Sequence, residues 1–288
     1  MKTIGDVLRE TETTFRKTGS PTPRLDAEVL LSHCLNTNRF RLFTHPEQIL
    51  DDKILTDYNN AVKRRQKGEP VSYIIGRKEF WSLLFHVNSS VLIPRPDTEI
   101  IVEETLASMA EQPQDHWTIL EIGTGSGAIA IALASEQKNA YITATDISEE
   151  ALHLAKENAQ RNNVAEQIIF ISGDMFAPLQ DQQFDIIVSN PPYISQHDFP
   201  LLPEGIRHYE PQLALMAGSD GTEFHRQLID EGLSYLNPGG WLIMEMGTGQ
   251  GKAIQEYLET TSRYEAIIIR HDYAGMERVI KGRRIKHG

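Results

Sequence analysis

Residues 118–128 read Thr-Ile-Leu-Glu-Ile-Gly-Thr-Gly-Ser-Gly-Ala, and the fold turns on them. Thr118 to Ile122 is a short apolar run of strand type, and Gly127 to Ala134 reads as a helix. Between the two, Gly123, Thr124, Gly125, Ser126 and Gly127 form a loop that can turn sharply and approach a ligand closely. The helix N-terminus adds free N–H groups. Nineteen residues beyond Gly127, Asp146 follows the next strand, Tyr141 to Thr145, where a carboxylate can accept hydrogen bonds from ribose hydroxyls. Strand, loop, helix and acid in register favour a nucleoside cofactor over a tight turn with no ligand. The cofactor's class stays open here, because Gly123-x-Gly125-x-x-Ala128 also satisfies the nicotinamide-dinucleotide pattern.

Downstream, a helix at Glu149 to Asn162 turns Ala151, Leu154 and Ala155 inward. Strands are expected at Ile168–Ile171, Asp185–Ser189, Gly240–Met244, Ala266–Ile269 and Arg278–Ile280. This alternation predicts an α/β domain with a mostly parallel sheet and helices on both faces. The loop Arg270 to Glu277 is too short for a crossover helix, so the last two strands should pair antiparallel. That terminal hairpin is how class I methyltransferases differ from dinucleotide-binding folds.

Upstream, residues 1–74 read as a small helical bundle with little core of its own. Ile4, Val7, Leu8 and Phe15 recur at helical spacing. Leu25, Val29 and Leu30 follow a Pro21-Thr22-Pro23 start, and Asp51 to Arg65 places Ile54, Tyr58, Ala61 and Val62 on one face. Residues 75–93 suggest a linking β-hairpin with Asn88-Ser89-Ser90 as its turn, and 94–288 the catalytic domain.

Twenty-eight Lys and Arg against forty Asp and Glu leave a net charge of −12, which disfavours nucleic-acid binding by general attraction. Hydrophobic residues at 40% exclude a largely disordered chain. The single cysteine, Cys34, allows no internal disulfide and no cysteine-based zinc site, which fits a reducing, cytoplasmic setting. The histidines show no ligand spacing, so no metal is expected. Acids within the first ten residues argue against a signal peptide, and no apolar run is long enough to span a membrane.

Asn190-Pro191-Pro192-Tyr193 directly follows the Asp185–Ser189 strand, on the rim where such sheets bind ligands. An amide or ring-amino nitrogen is a poor nucleophile towards a sulfonium methyl, and no base can usefully deprotonate an amide. The Asn190 side-chain oxygen and the Pro191 carbonyl can instead accept both N–H bonds of a planar NH2 and aim its nitrogen. The prolines stiffen the presenting backbone, and Tyr193 offers a face for a planar group.

Asn-Pro-Pro-Tyr with the glycine loop resembles S-adenosylmethionine-dependent methyltransferases acting on planar nitrogens. Four further segments resemble the HemK-type glutamine-N5 branch: Leu92-Ile93-Pro94-Arg95-Pro96-Asp97-Thr98-Glu99, Glu210-Pro211-Gln212-Leu213-Ala214-Leu215, Gly275-Met276-Glu277-Arg278-Val279 and Gly68-Glu69-Pro70-Val71-Ser72-Tyr73. The resemblance covers nearly the whole chain. It implies that Gly123 to Gly127 and Asp146 hold S-adenosylmethionine, with Asn190 beside it. Met175, two residues after Gly173, takes the adenine-side position, where the family often has an aromatic. It further implies that Asn190 to Tyr193 grip the glutamine of the Gly-Gly-Gln motif in class-I peptide chain release factors, and that residues 1–74 recognise that protein.

Alternatives are a ribosomal-protein glutamine methyltransferase, a DNA or RNA adenine-N6 methyltransferase, and a nicotinamide oxidoreductase. The last leaves Asn-Pro-Pro-Tyr and the terminal hairpin without a purpose. Lys63-Arg64-Arg65-Gln66-Lys67 reads as a solvated helix end, and Lys281-Gly282-Arg283-Arg284 with Lys286 as a frayed basic tail. Ile194 to Gly221 lacks periodicity and is expected to be a substrate-gripping lid.

Overall fold

The computed structural model describes residues 2–180 and 182–286; Met1, Asp181 and residues 287–288, which include the outer ends of the expected 1–74 and 94–288 segments, lie outside them. The chain forms two compact units, one of Met1–Arg77 with Pro203–Tyr209, the other of Lys78–Leu202 with Glu210–Gly288.

The first unit contains α1 (Ile4–Lys17), α2 (Pro23–Cys34), α3 (Arg39–Thr44), α4 (Asp52–Gln66) and α5 (Val71–Ile75). A reciprocal capping box starts α1: Asp6 N–H donates to Thr3 Oγ1, and Thr3 N–H donates to the Asp6 carboxylate. Asp51 caps α4 through the Ile54 N–H at 2.8 Å. Ile4, Leu8, Phe15, Leu30, Leu31 and Tyr58 are among the residues of a core belonging to this unit alone. The bundle therefore carries more core than its sequence suggests. Within the basic run of α4, Arg65 reaches the buried Asp26 at 2.8 Å, so that residue is an internal tie.

A hairpin of β1 (Arg77–Phe80) and β2 (Leu83–His86) comes next, and from Lys78 onward it belongs to the second unit. Its turn is Trp81-Ser82, both at positive φ, and Asn88-Ser89-Ser90 lies beyond the strands. Left-handed φ is unfavourable for tryptophan. Tertiary bonds hold it: Trp81 N–H and Nε1–H donate to Glu99 and Glu136, each at 2.8 Å.

Next come α6 (Glu99–Glu111), β3 (Trp117–Ile122), α7 (Ala128–Glu136), β4 (Ala140–Asp146), α8 (Glu149–Arg161), β5 (Ile168–Ser172) and β6 (Phe184–Ser189). The short α9 (Glu204–Tyr209) follows, then α10 (Glu223–Tyr235), β7 (Leu236–Glu245), α11 (Gly251–Thr260), β8 (Tyr264–His271) and β9 (Glu277–Arg284). The sheet order is β5-β4-β3-β6-β7-β9-β8. Strands β3 to β7 pair in parallel, while β9 runs antiparallel to both β7 and β8. The central strands are apolar along their length because helices cover both faces.

Two further expectations change. Lys281 to Arg284 are no frayed tail: they form the end of β9, and Lys281 is buried. Its ammonium lies 3.0 Å from Ser108 Oγ, 3.3 Å from Glu104 and over the Trp241 ring. A lysine can occupy this interior because its charge is paired and hydrogen-bonded. The Ile194–Gly221 stretch contains short helical turns, and its α9 belongs to the helical unit, where Tyr209 bonds the Lys67 carbonyl at 2.9 Å. Six residues are too few to show a helical period.

Candidate active site

Strand register brings three distant segments together. Ile122 at the end of β3 pairs with Thr145 of β4 on one side and Ser189 of β6 on the other. The next residues along each chain segment are Gly123, Asp146 and Asn190. Strand order also changes direction at β3, with β4 to one side and β6 to the other, which opens a crevice at the carboxyl ends.

A cavity of about 680 Å³ occupies this place, within the range of small-molecule sites. Gly123, Thr124, Gly125, Ser126, Asp146, Met175, Asn190, Pro191 and Pro192 line it. Gly127 and Tyr193 do not. Gly123 and Gly125 adopt positive φ and have nothing within 4 Å of where a Cβ would project, so the loop leaves room for a ligand against its backbone. Gly127 serves packing, because a Cβ there would lie 2.9 Å from Ile131 Cδ1 and 3.2 Å from Ala155 Cβ.

Asp146 is fixed by the chain on either side of it. One carboxylate oxygen accepts the Gly125 N–H at 2.8 Å, the other the Ser148 N–H at 2.9 Å. Burial raises its pKa, and the backbone N–H bonds hold it down. Met175 is buried at φ 46, and with Ile147 it adds apolar surface to the same cavity.

Asn190 donates its amide N–H to Thr98 Oγ1 at 3.4 Å. The carbonyl of Tyr193 accepts from Gln250 Nε2 at 2.9 Å, and its hydroxyl donates to Glu245 Oε1 at 3.3 Å. Tyr193 therefore stands behind the cavity wall, and its phenol is pushed well above its ordinary pKa by burial. Arg95 and Glu210 form a 2.5 Å ion pair, and Glu210 also accepts the Ile93 N–H. Arg278 reaches Asp97 at 3.3 Å and Asp272 at 2.9 Å. Three of the four segments that carry the family resemblance thus meet around one site.

Sequence reasoning did not single out two buried acids. Glu121, just before the glycine loop, accepts from Thr124 Oγ1 at 2.6 Å and Ala130 N–H at 3.1 Å, and burial pushes it up to about 8. Glu245 ends β7, and burial pushes it up to about 7. Glu121 was legible as an acid flanking the loop; Glu245 had no local signal. Among the described residues, no cluster of three or more His, Cys, Asp or Glu is arranged to hold a metal. Nor is any described helix long and apolar enough to cross a membrane.

A dinucleotide-binding sheet has no use for an antiparallel β8–β9 pair or for an Asn-Pro-Pro-Tyr turn at the end of its fourth parallel strand. The class that has both is the S-adenosylmethionine-dependent methyltransferases, and the open glycine loop with its following carboxylate fits that cofactor. Residues 101–202 match the methyltransferase small domain family, and residues 6–76 the PrmC N-terminal domain. Among similar chains is a release factor glutamine methyltransferase of Rhodopirellula baltica, 38% identical over 96% of this chain and 95% of its own. Those of Aliivibrio fischeri (43%, covering 92% and 91%) and Vibrio cholerae (42%, covering 97% and 96%) are also similar. The chain belongs to the release factor glutamine methyltransferase family. In fold it resembles a Pyrococcus furiosus methyltransferase (TM-score 0.51, 20% identity, 79% of this chain and 99% of that one). It also resembles the hMettl16 catalytic domain in complex with a MAT2A 3′UTR hairpin (TM-score 0.58, 16% identity, 83% of each). Those two likenesses bear on the fold alone.

Proposed function

We propose that this methyltransferase acts on the side-chain N5 of the glutamine in the Gly-Gly-Gln motif of class-I peptide chain release factors. One observation carries the reading: Asn190 lines the cavity with its NH2 already committed to Thr98, which leaves its oxygen to accept a substrate N–H. The Pro191 carbonyl takes the second N–H. Together they orient the nitrogen lone pair, which supplies the positioning an unreactive amide needs. Gly123 to Ser126, Asp146 and Met175 hold S-adenosylmethionine, which supplies the sulfonium methyl when bound, and Gly127 packs the loop against the helices behind it. Tyr193 supports this turn from behind and does not face the substrate. This assignment revises the stacking role expected from sequence.

The helical unit, residues 1–74 in the sequence reading, recognises the body of the release factor, and 94–288 carries the chemistry. Phe40 and Phe43 of α3 are 73% and 54% exposed, and exposed aromatics of this kind are apt anchors for a protein partner. The setting we propose is the cytoplasm, with no metal and no direct nucleic-acid contact.

The test is mass spectrometry of purified release factor, ribosomal protein and oligonucleotide, each incubated with enzyme and cofactor. One methyl on the Gly-Gly-Gln glutamine is expected; methylation of adenine or of the ribosomal protein instead would overturn the assignment. Substituting Phe40 and Phe43 by Asp should raise KM for intact release factor and leave KM for a Gly-Gly-Gln peptide unchanged. Equal effects on both would place recognition elsewhere.

A further inference from the structure

We propose that Glu245 is a positioning residue for methyl transfer: from behind the Asn190–Tyr193 turn its carboxylate fixes the Thr98 and Tyr193 hydroxyls, and through Thr98 it sets which way the Asn190 amide faces. The inference rests on Asn190 being the group that holds the substrate amide.

The geometry is a relay of donors. Glu245 is 1% exposed and is not part of the cavity wall. Its Oε1 accepts the Tyr193 hydroxyl at 3.3 Å, and the Thr98 side chain faces the same carboxyl group and helps to hold its pKa down. An ionised carboxylate can only accept, so Thr98 must spend its proton on Glu245. Thr98 Oγ1 then has only lone pairs left for Asn190, and it accepts the Asn190 NH2 at 3.4 Å. The Asn190 oxygen is what remains for the substrate. Were Thr98 free to donate to Asn190, the amide could turn over and set NH2 against NH2.

The surroundings fit a functional group better than a structural one. Glu245 Oε2 is buried without a partner, as is Nδ1 of the neighbouring His225. His225 Nε2 donates to the Glu245 backbone carbonyl at 2.8 Å. A glutamate kept for stability alone would have both oxygens satisfied, since an unpartnered buried acceptor is costly. The groups facing it are Tyr193, Thr98, Arg278 and Asp97, with His225 contributed by α10. Its pKa is pushed up to about 7 by burial. Protonation would turn the carboxyl into a donor and release the relay, so turnover should fall on the acid side of that value.

The experiment compares Glu245→Gln, Thr98→Val, the double variant and Asn190→Ala in single-turnover assays, with cofactor affinity by calorimetry and a pH profile for each. Misdirecting a positioning contact commonly costs about 10²-fold. Glu245→Gln and Thr98→Val should each lose about that much rate while cofactor affinity stays unchanged, and the double variant should be no slower than either. Glu245→Gln should also lose the acid limb near neutrality, and Thr98→Ser should recover most of what Val loses. Wild-type speed in Glu245→Gln beside a slow Asn190→Ala would overturn the inference. Wild-type speed in Asn190→Ala would overturn the site reading instead. A Glu245→Gln loss matched by lost cofactor affinity and a lower Tm would mean a structural role only. If that variant does not fold, Thr98→Val decides, and wild-type speed there refutes the relay.

Discussion

Asn190 and Thr98 stand 92 residues apart in sequence, yet the amide of one donates to the hydroxyl of the other at 3.4 Å. The bond separates the two ends of the Asn190 amide, so that one is structural and the other is left to act on substrate. Asn190→Ala should cut turnover by about 10² to 10³, or roughly 2.7–4 kcal/mol, while release-factor and cofactor affinity persist. Asn190→Asp keeps an acceptor oxygen but adds charge beside a sulfonium whose positive charge disperses in the transition state. Its turnover should fall between those of wild type and the Ala variant, with cofactor bound as tightly or more so. Single-turnover kinetics at wild-type speed in both would remove Asn190 from the mechanism.

The catalytic rim was legible because each of its parts is a local instruction. A strand, a glycine loop and an acid at the end of the next strand need no tertiary information to be placed, and Asn-Pro-Pro-Tyr names its own chemistry. What those parts rest on was not legible. Thr98 lay in a recognised segment, but its partners come from β6 and β7. Glu245 ends an apolar strand and reads as an ordinary boundary residue. The hairpin turn fell at Trp81-Ser82 despite better turn chemistry at Asn88-Ser89-Ser90, because bonds from Glu99 and Glu136 outweigh local preference.

Asp146 tests the cofactor cradle. Its carboxylate is already tied to Gly125 and Ser148 N–H groups, so it is preorganised to receive ribose hydroxyls. Asp146→Ala should weaken S-adenosylmethionine binding by roughly 1.5–3 kcal/mol, the range of hydrogen bonds to a charged group. Unchanged affinity by calorimetry in a folded variant would exclude it from the site.

Gly123 and Gly127 should fail differently when changed to Ala. Both have positive φ, which costs a residue with a Cβ about 1–2 kcal/mol. The Cβ of Gly127→Ala also meets Ile131 and Ala155, so its main effect should be a lower Tm. Gly123→Ala meets no protein atom within 4 Å and should lose more cofactor affinity than stability. Paired melting and calorimetry separate the two, and equal profiles would contradict the division of roles.

Lys281, on β9 between β7 and β8, packs with Glu104, Ser108 and Trp241. Removing one partner of a buried pair leaves the other charge uncompensated, typically at a cost of 3–5 kcal/mol. Arg270 also contacts Glu104, at 2.7 Å, so Lys281→Ala should cost about 3 kcal/mol, the low end of that range. Lys281→Met with Glu104→Leu should cost less than the single change. Denaturant midpoints check this, and a neutral Lys281→Ala would return the segment to the status of a loose tail.

Glu121 gives stability a definite pH slope. Burial raises it from an ordinary 4.5 to about 8 in the fold, against the pull of its bonds from Thr124 and Ala130. Between those values the folded chain binds more proton than the unfolded one, so stability falls as pH rises. The contribution is fully present below 4.5 and is lost as pH climbs through about 8. Glu245, at about 7, works in the same direction. His225 works in the other: held down at about 4 by burial, it gives stability above 6.5 that is lost as pH falls through about 4. Replacing Glu121 with Gln removes one titration and keeps the shape. Its Tm should therefore decline less steeply than wild type from pH 4.5 to 8, because the opposed slopes of Glu245 and His225 offset each other up to about 6.5. Parallel melting curves across that window would mean that Glu121 is ionised in the fold and that its burial is offset by the two bonds alone.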